Sequence, residues 1–377
     1  MFELNKIYCG NAIENLRTFP EKSVQCCITS PPYYGLRSYL PQDHPDKQFE
    51  IGNEVSPEEY VNKLVEIFRE VRRVLSDSGI LFLNLGDTYW GSWGNSGHRP
   101  ELDGTPSHQR GKETSYLPRG GWDQRRERPP TSYGHPRLKP KDLVGIPWTT
   151  ALALRDDGWW LRSDNIWAKG VSGQKELTTQ IVSAAHEIGI EDNKVEELLL
   201  KLDLYVGNPM PESIKDRCTR SHEYIFMFAK SERYYYDSEA VAEDLKRPNE
   251  AKRKTPGKFG GADKFEEASK QSRLHSGNEY KGTKNGKRNR RDVWTISTKS
   301  FKGAHFATFN EELISPCILA GSRPGDVILD PFIGSGTTAV AAKKLGRNFV
   351  GIDLNPEYMK MAMERISQLP RPEGRGL

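Results

Sequence analysis

The segment from Val327 to Asp353 constrains the fold of this chain more than any other. An apolar run ends in Asp330, a turn with two glycines follows, and an alanine-rich stretch leads to a second apolar run that ends in Asp353. This is the pattern of a strand, a tight turn, a helix and a second strand. The two strands of such a βαβ unit are parallel, because a helical crossover returns the chain to the same end of the sheet. We therefore predict an α/β fold with a doubly wound, mostly parallel sheet.

The turn of this unit also indicates which kind of ligand it can hold. Gly334 and Gly336 allow the backbone to approach a ligand closely, and the Asp353 carboxylate can accept hydrogen bonds from a ribose diol. The glycines follow neither Gly-x-Gly-x-x-Gly, the dinucleotide pattern, nor Gly-x-x-x-x-Gly-Lys-Ser/Thr, the phosphate-binding loop. An adenosine ligand without a pyrophosphate suits this turn better.

A second feature is the corner Thr29-Ser30-Pro31-Pro32-Tyr33, which follows the apolar run Val24–Ile28. That run has the composition of a buried strand, and the two prolines end it because neither can donate to a sheet ladder. The corner presents the Ser30 hydroxyl, peptide carbonyls and the Tyr33 ring at a strand's carboxyl end, where open α/β sheets bind ligands. A planar base carrying an amino group fits such a corner. A rigid loop with a packed tyrosine is the other interpretation that these residues allow.

The remaining chain alternates regular patterns with long polar segments. Ser56-Pro57-Glu58-Glu59 is a capping box with proline at the first helical position, and apolar residues follow at helical spacing. Asp77-Ser78-Gly79 is expected to end this helix before an apolar strand, Ile80–Leu85. The predicted organisation is one core made of 1–237 and 303–369, a long basic loop at 89–140, a helical insertion at 170–207, a basic segment at 238–302 and a flexible tail at 370–377.

The net charge of +4 conceals two basic segments. Between Lys246 and Lys302, seventeen Lys and Arg residues stand against six Asp and Glu, a local balance of +11. Between Gly97 and Lys141 the count is ten against five, or +5, so the rest of the chain has 28 basic and 40 acidic residues, or −12. Two basic segments on an acidic body favour a polyanionic partner, most simply nucleic acid, with solvated loops as the alternative.

Other features of the sequence bear on the cellular location of the protein and on whether it contains disulfides or a metal site. No run of about 18 apolar residues exists, so no membrane span is expected. The amino-terminal residues lack the basic-then-apolar layout of a signal peptide. The five cysteines show no Cys-x-x-Cys spacing, so we expect neither disulfides nor a metal site. These features predict a cytoplasmic protein.

Together, the corner and the βαβ turn resemble the paired signatures of the amino-group DNA methyltransferases, which use S-adenosylmethionine. The corner precedes the cofactor turn, an order similar to that of the circularly permuted β group of this family. The resemblance covers roughly two-thirds of the chain. It extends to these further segments: Asn84-Leu85-Gly86-Asp87, Trp167-x-Lys169, Asn208-Pro209-Met210-Pro211-Glu212-Ser213 and His222-Glu223-Tyr224.

The resemblance implies a role for particular residues. The catalytic residues would be Ser30, Pro31, Pro32 and Tyr33, with the Ser30 hydroxyl and the Pro31 carbonyl accepting the N–H groups of a target amine. The cofactor-binding residues would be Asp330, Phe332, Gly334, Ser335, Gly336, Thr337, Thr338, Asp353 and Phe309. Two departures from the family pattern stand out: the helical stretch between Lys169 and Asn208, and Asn310 at a position where proline is expected, next to Phe309.

The family modifies either of two bases, and serine before Pro-Pro-Tyr is typical of its N4-cytosine members. Aspartate or asparagine there is usual for N6-adenine members, so adenine is the alternative. The implied partner is duplex DNA, with its target base flipped out of the helix. Residues 238–302 would form the target-recognition region that binds the DNA sequence. Methylation would protect that DNA from a cognate endonuclease. A non-catalytic DNA-binding protein, an RNA or protein methyltransferase and a catalytic thiol at Cys317 are the more distant alternatives.

Overall fold

A computed structural model of the chain describes residues 2–36, 38–41, 43–91, 135–169, 172–195, 214–244, 287–296 and 310–369. The chain divides into two compact units, one made of Met1–Tyr235 with Asp292–Leu377 and the other of Tyr236–Arg291. Most of the predicted loop at 89–140, most of the segment 238–302, the tail 370–377 and Phe309 lie outside the described residues.

The larger unit is built around an eight-stranded sheet. In chain order, the strands of the described residues are β1 Lys6–Cys9, β2 Val24–Thr29, β3 Leu75–Leu85, β4 Trp160–Ala168, β5 His222–Ala229, β6 Glu243–Asp244, β7 Lys287–Arg288, β8 Val293–Thr295, β9 Val327–Asp330 and β10 Asn348–Asp353. All of them except β6 and β7 belong to the eight-stranded sheet. The helices of the described residues are α1 Ala12–Thr18, α2 Pro57–Val74, α3 Ile146–Asp156, α4 Ser172–Glu187, α5 Glu311–Gly321, α6 Thr337–Lys344 and α7 Pro356–Ser367.

The strand order is β1-β10-β9-β2-β3-β5-β4-β8. The first five strands run parallel, β5 is antiparallel to both of its neighbours, and β8 is parallel to β4. From the central pair β9 and β2 the chain proceeds outward in opposite directions, which makes their carboxyl ends a topological switch point. The predicted doubly wound, mostly parallel α/β sheet is confirmed.

Side-chain caps begin two of the helices, and the second of these caps confirms the prediction at Ser56. Asn11 Oδ1 caps α1 by accepting from the backbone N–H groups of Ile13 and Glu14 at 2.8 and 3.2 Å. Ser56 Oγ caps α2 by accepting from the Glu59 N–H at 3.2 Å, with proline at the first helical position. The apolar face of α2 then packs in the core, with Tyr60, Leu64, Phe68, Val71 and Val74 fully buried.

The start of β3 differs from the prediction. The strand begins at Leu75, and Asp77-Ser78-Gly79, which we expected as a turn, lies within it. Leu75 pairs with Val24 of β2, and the register then shifts before Cys26 pairs with Ile80. This irregularity accommodates the polar residues in an extended backbone, a possibility that the composition of a short segment does not reveal.

The smaller unit contributes one described feature, the two-stranded antiparallel sheet of β6 and β7. Glu243 of β6 lies 3.4 Å from Arg288 and 3.2 Å from Arg291 in ion pairs. Among the helices that the structure describes, none has the length and apolar character needed to cross a membrane.

Candidate active site

A cavity of about 590 Å³ lies at the carboxyl ends of β2, β9 and β10. The corner after β2 and the glycine turn after β9 both line it, although some 300 residues separate them in sequence. The predicted residues on its wall are Ser30, Pro31, Pro32, Tyr33, Asp330, Phe332, Gly334, Ser335, Thr337, Thr338 and Asp353. The fold therefore brings the two sequence motifs into a single cavity.

The corner is held by a network of polar side chains from three strands. The Ser30 hydroxyl lies 3.2 Å from Asn84 Oδ1 and 3.4 Å from the Tyr33 hydroxyl. The Tyr33 hydroxyl lies 2.7 Å from Glu223 Oε2, and Lys169 donates to the other oxygen of Glu223. Because Asn84, Lys169 and Glu223 stand on or beside β3, β4 and β5, the sheet itself positions Ser30 and Tyr33.

The Tyr33 ring packs against a glycine. A Cβ atom at Gly86 would come within 2.4 Å of Tyr33 Cε2, so any larger residue at position 86 would displace the ring. Burial, followed by the charge of Glu223, raises the pKa of the Tyr33 hydroxyl well above its usual value. The neighbouring Pro32 carbonyl accepts a hydrogen bond from the Tyr60 hydroxyl at 2.8 Å, which ties the corner to α2.

Asp330 joins the corner to the glycine turn. Its Oδ1 accepts from the Thr29 hydroxyl at 2.7 Å and from the Phe332 N–H at 3.1 Å, and its Oδ2 accepts from the Thr338 hydroxyl at 2.6 Å. The residue is 3% exposed, and burial raises the pKa of its carboxyl to about 6 against the lowering effect of these hydrogen bonds. Asp330 thus holds both ends of the glycine turn, at Phe332 and at Thr338.

Asp353, at the end of β10, closes the turn from the other side. Its two oxygens accept from the backbone N–H groups of Gly334 and Asn355, each at 2.8 Å. Burial raises the pKa of this carboxyl to about 6, with a smaller contribution from the charge of Asp330. Each carboxylate oxygen retains a further lone pair, so a ligand hydroxyl in the cavity can donate to it.

Arg365 of α7 fixes the other end of the turn. Its guanidinium donates to the Ser335 carbonyl at 2.6 Å and to the hydroxyls of Ser335 and Thr337 at 3.0 and 3.1 Å. Gly336, at φ +81°, is not among the residues that line the cavity. A Cβ at Gly336 would lie 2.6 Å from Ala362 Cβ, so the packing of α7 requires glycine there.

Asp87, from a segment that resembles the family, and Cys317, the alternative catalytic thiol, both have structural roles. Asp87 Oδ1 accepts from the N–H groups of Gly145 and Ile146 at 3.0 and 3.1 Å, and thereby caps the amino terminus of α3. Cys317 is 1% exposed in α5 and does not line the cavity, so the thiol has no access to a ligand there.

Sequence reasoning assigned no chemistry to Asn84, Lys169, Glu223 or Arg365. The first three stood in segments that resembled the family, and one signal marked Asn84. It is the polar residue in the otherwise apolar run Ile80–Leu85, and it is 1% exposed. A polar group buried in this way requires hydrogen-bond partners. Arg365 had no such signal, because its contacts depend on how α7 returns to the turn.

A doubly wound sheet with one antiparallel strand, and a cavity between a glycine turn and a Ser-Pro-Pro-Tyr corner, define the class of amino-methyltransferases. Residues 24–364 match the family model described as DNA methylase. The chain is 40% identical to the type II methyltransferase M.Cfr9I of Citrobacter freundii over 366 residues, which are 97% of this chain and 89% of that protein. It is 37% identical to M.SmaI of Serratia marcescens, over 96% of this chain and 90% of that protein.

Among solved structures, PvuII DNA methyltransferase (cytosine-N4-specific) superimposes with a TM-score of 0.51 at 16% identity, over 97% of this chain and 87% of that one. At this identity the likeness supports the fold. The chain belongs to the DNA methylase family, so its substrate is DNA and its cofactor is S-adenosylmethionine.

Proposed function

We propose that this protein transfers a methyl group from S-adenosylmethionine to the exocyclic N4 amine of a cytosine in duplex DNA. The observation that supports this most directly is the position of Ser30, which lines the same cavity as the cofactor turn. Serine at this place in the corner is typical of the N4-cytosine members that the sequence resembles. The N6 amine of adenine is the alternative, because the same hydrogen-bonding groups can accept its protons.

The chemical problem at an exocyclic amine is its weak nucleophilicity, since the nitrogen lone pair is delocalised into the ring. Acceptors on the two N–H groups turn the nitrogen toward tetrahedral geometry and free that lone pair. Ser30 Oγ and the Pro31 carbonyl are the acceptors in this proposal. The next carbonyl, that of Pro32, is already bonded to the Tyr60 hydroxyl, which keeps the corner rigid.

When bound, S-adenosylmethionine supplies a methyl group that its sulfonium has already activated. The residues that fit it are Phe332 and the turn at Gly334, which line the cavity, and Asp353, whose carboxylate can accept from the ribose hydroxyls. What remains for the protein is alignment, and holding two reactants in line contributes several kcal/mol, about 7–11 in favourable cases.

The target amine cannot be reached inside a duplex, so the base must leave the stack at a cost of a few kcal/mol. Tyr33 lines the cavity beside Ser30 and is the residue that we assign to stacking on the flipped base. Such stacking stabilises a base by about 1–3 kcal/mol. Its hydroxyl, bonded to Glu223, fixes the plane of the ring in advance.

The wider setting is proposed from the relatives, whose names identify them as type II methyltransferases. We propose that this protein belongs to a restriction-modification system, acts on cytoplasmic DNA and protects it from a cognate endonuclease. The basic segment 238–302 is proposed to contact the DNA around the target base. Its Lys and Arg residues would contact phosphates, so their replacement by Gln should weaken DNA binding and flatten the salt dependence of that binding.

One experiment separates the alternatives. Mixed-sequence duplex DNA is incubated with the protein and with cofactor labelled on its methyl group. The DNA is then digested to nucleosides, and the labelled nucleoside is identified by its mass. Label in N4-methyldeoxycytidine supports the proposal. Label in N6-methyldeoxyadenosine would show that the target base is adenine, and the rest of the proposal would stand. No incorporation at any sequence would favour a DNA-binding protein without catalysis.

A further inference from the structure

The polar residues around Ser30 form a chain of hydrogen bonds whose direction follows from their donors and acceptors. The Glu223 carboxylate, paired with the Lys169 ammonium, lies at one end of this chain and only accepts. Its Oε2 accepts from the Tyr33 hydroxyl at 2.7 Å and from Asn84 Nδ2 at 3.2 Å. Each of these neighbours must therefore turn a proton toward Glu223.

The orientation of the Asn84 amide is fixed by two acceptors. Its Nδ2 faces Glu223 Oε2 and, at 3.0 Å, the Tyr224 carbonyl, neither of which can donate. The amide oxygen must therefore face the other way, where it lies 3.2 Å from Ser30 Oγ and 3.1 Å from the Tyr33 hydroxyl. Since Asn84 is 1% exposed, solvent offers it no alternative partners.

Tyr33 and Ser30 each have one hydroxyl proton, and the hydrogen-bond network determines which acceptor each proton faces. Tyr33 keeps its proton, because burial raises the pKa of its hydroxyl, and its shorter contact is to the charged carboxylate of Glu223 rather than to Asn84. Charge-assisted hydrogen bonds are roughly twice as strong as neutral ones. The Asn84 oxygen is thereby left to accept the proton of Ser30.

We infer that Glu223 is a positioning residue that, through Tyr33 and Asn84, makes the Ser30 hydroxyl present lone pairs rather than a proton to the target base. Ser30 then accepts from an amine and disfavours a carbonyl in the same place. This inference rests on the proposed function and deepens it. The corner would discriminate cytosine from uracil, or adenine from hypoxanthine, by the direction of one hydroxyl.

The Lys169–Glu223 pair makes this direction testable with an isosteric change. In Glu223→Gln the amide oxygen must face Lys169, because an ammonium needs an acceptor, and the amide NH₂ then faces Tyr33 and Asn84. Tyr33 must turn its proton to Asn84 Oδ1. Because the Tyr33 and Ser30 hydroxyls lie only 3.4 Å apart, they approach the same side of that oxygen, so the Tyr33 proton competes with the Ser30 proton and favours a Ser30 hydroxyl that turns its proton toward the cavity. The substitution therefore changes the polarity of Ser30 while it barely changes its position.

For Glu223→Gln we expect kcat to fall by about 100-fold or more, with the Kd for S-adenosylmethionine within about threefold of wild type. Binding is then measured to duplexes of the methylated sequence that have the natural base, or uracil for cytosine or hypoxanthine for adenine, at the target position. Wild type should prefer the amino base, and the variant should lose about tenfold or more of that preference. Glu3→Gln, in the exposed Glu3–Lys6 pair outside the cavity lining, is the matched control and should change neither quantity.

A second variant separates polarity from a simple loss of structure. Adding Lys169→Met to Glu223→Gln frees the amide to turn its oxygen toward Tyr33, and should restore kcat by about tenfold. A Glu223→Gln enzyme with nearly normal kcat, or one with an unchanged preference for the amino base and no gain from Lys169→Met, would overturn the inference. Failure of wild type to methylate DNA would instead contradict the proposed function itself.

Discussion

The Thr29 hydroxyl donates to Asp330 Oδ1 at 2.7 Å across a separation of 301 residues in sequence. Thr29 is the last residue of β2 and 0% exposed, and Asp330 is the last residue of β9. The two strands are neighbours in the sheet, so this contact joins the ends of the catalytic and cofactor motifs inside the core. It sets the relative position of the two halves of the cavity.

Removal of this contact should destabilise the fold. Thr29→Val keeps the shape of the side chain and leaves one lone pair of the buried Asp330 carboxylate without its donor. We expect a loss of about 1–3 kcal/mol in the free energy of unfolding, measured by urea denaturation. Thr18→Val is the control, because the Thr18 hydroxyl bonds to the Asn15 carbonyl at an exposed helix end. Equal losses of unfolding free energy in the two variants would show that the contact with Asp330 stabilises the fold no more than an exposed hydrogen bond does.

Cofactor binding should depend on pH through Asp353. Its ionised form accepts the ribose hydroxyls in our account, and burial raises the pKa of this carboxyl to about 6. Affinity should thus be full above pH 6 and decrease by up to about tenfold per pH unit below it, because the bound state requires a proton to be released. Calorimetric Kd values across this range measure the effect. Asp353→Asn should bind more weakly with a flat profile; a persisting pH dependence would assign the titration to another group.

Gly86→Ala tests the packing of the Tyr33 ring. The added Cβ would lie 2.4 Å from the ring, so the ring must move away from the position that Glu223 and Asn84 hold. We expect kcat to fall by about tenfold or more, since a misplaced aromatic ring loses its stacking on the base. Gly189→Ala is the comparison, because no atom beyond its immediate chain neighbours lies within 4 Å of its added Cβ and only its φ of +76° is unfavourable. That control should cost about 1–2 kcal/mol in stability and leave kcat unchanged.

Arg365 should contribute to cofactor affinity rather than to the chemical step. In Arg365→Met the Ser335 carbonyl and the hydroxyls of Ser335 and Thr337 lose their common donor. We expect the Kd for S-adenosylmethionine to increase by about tenfold, with kcat at saturation close to wild type. Lys360→Met, an exposed position on the same helix, should leave Kd unchanged. A fall in kcat with constant Kd would place Arg365 in the chemical step instead.

The parts of this molecule that were predictable from sequence are those with a local cause. The β9–α6–β10 unit, the cap at Ser56 and the corner after β2 each follow from a few adjacent residues. The network of Lys169 and Glu223 depends on β4 and β5 pairing antiparallel beside β3, a long-range arrangement that no local pattern specifies. Gly336 shows the same limit, since glycine spacing does not distinguish close approach of a ligand from close approach of a helix.

The most direct test of the account is single-turnover methyl transfer by Ser30→Ala. Ser30 lines the cavity but makes none of the contacts that hold the cofactor turn, which come from Asp330, Asp353 and Arg365. The account predicts that the Kd for S-adenosylmethionine stays within about threefold of wild type while the rate falls by about 100-fold or more. An unimpaired rate of methyl transfer would contradict the role of Ser30 as the acceptor of the target amine.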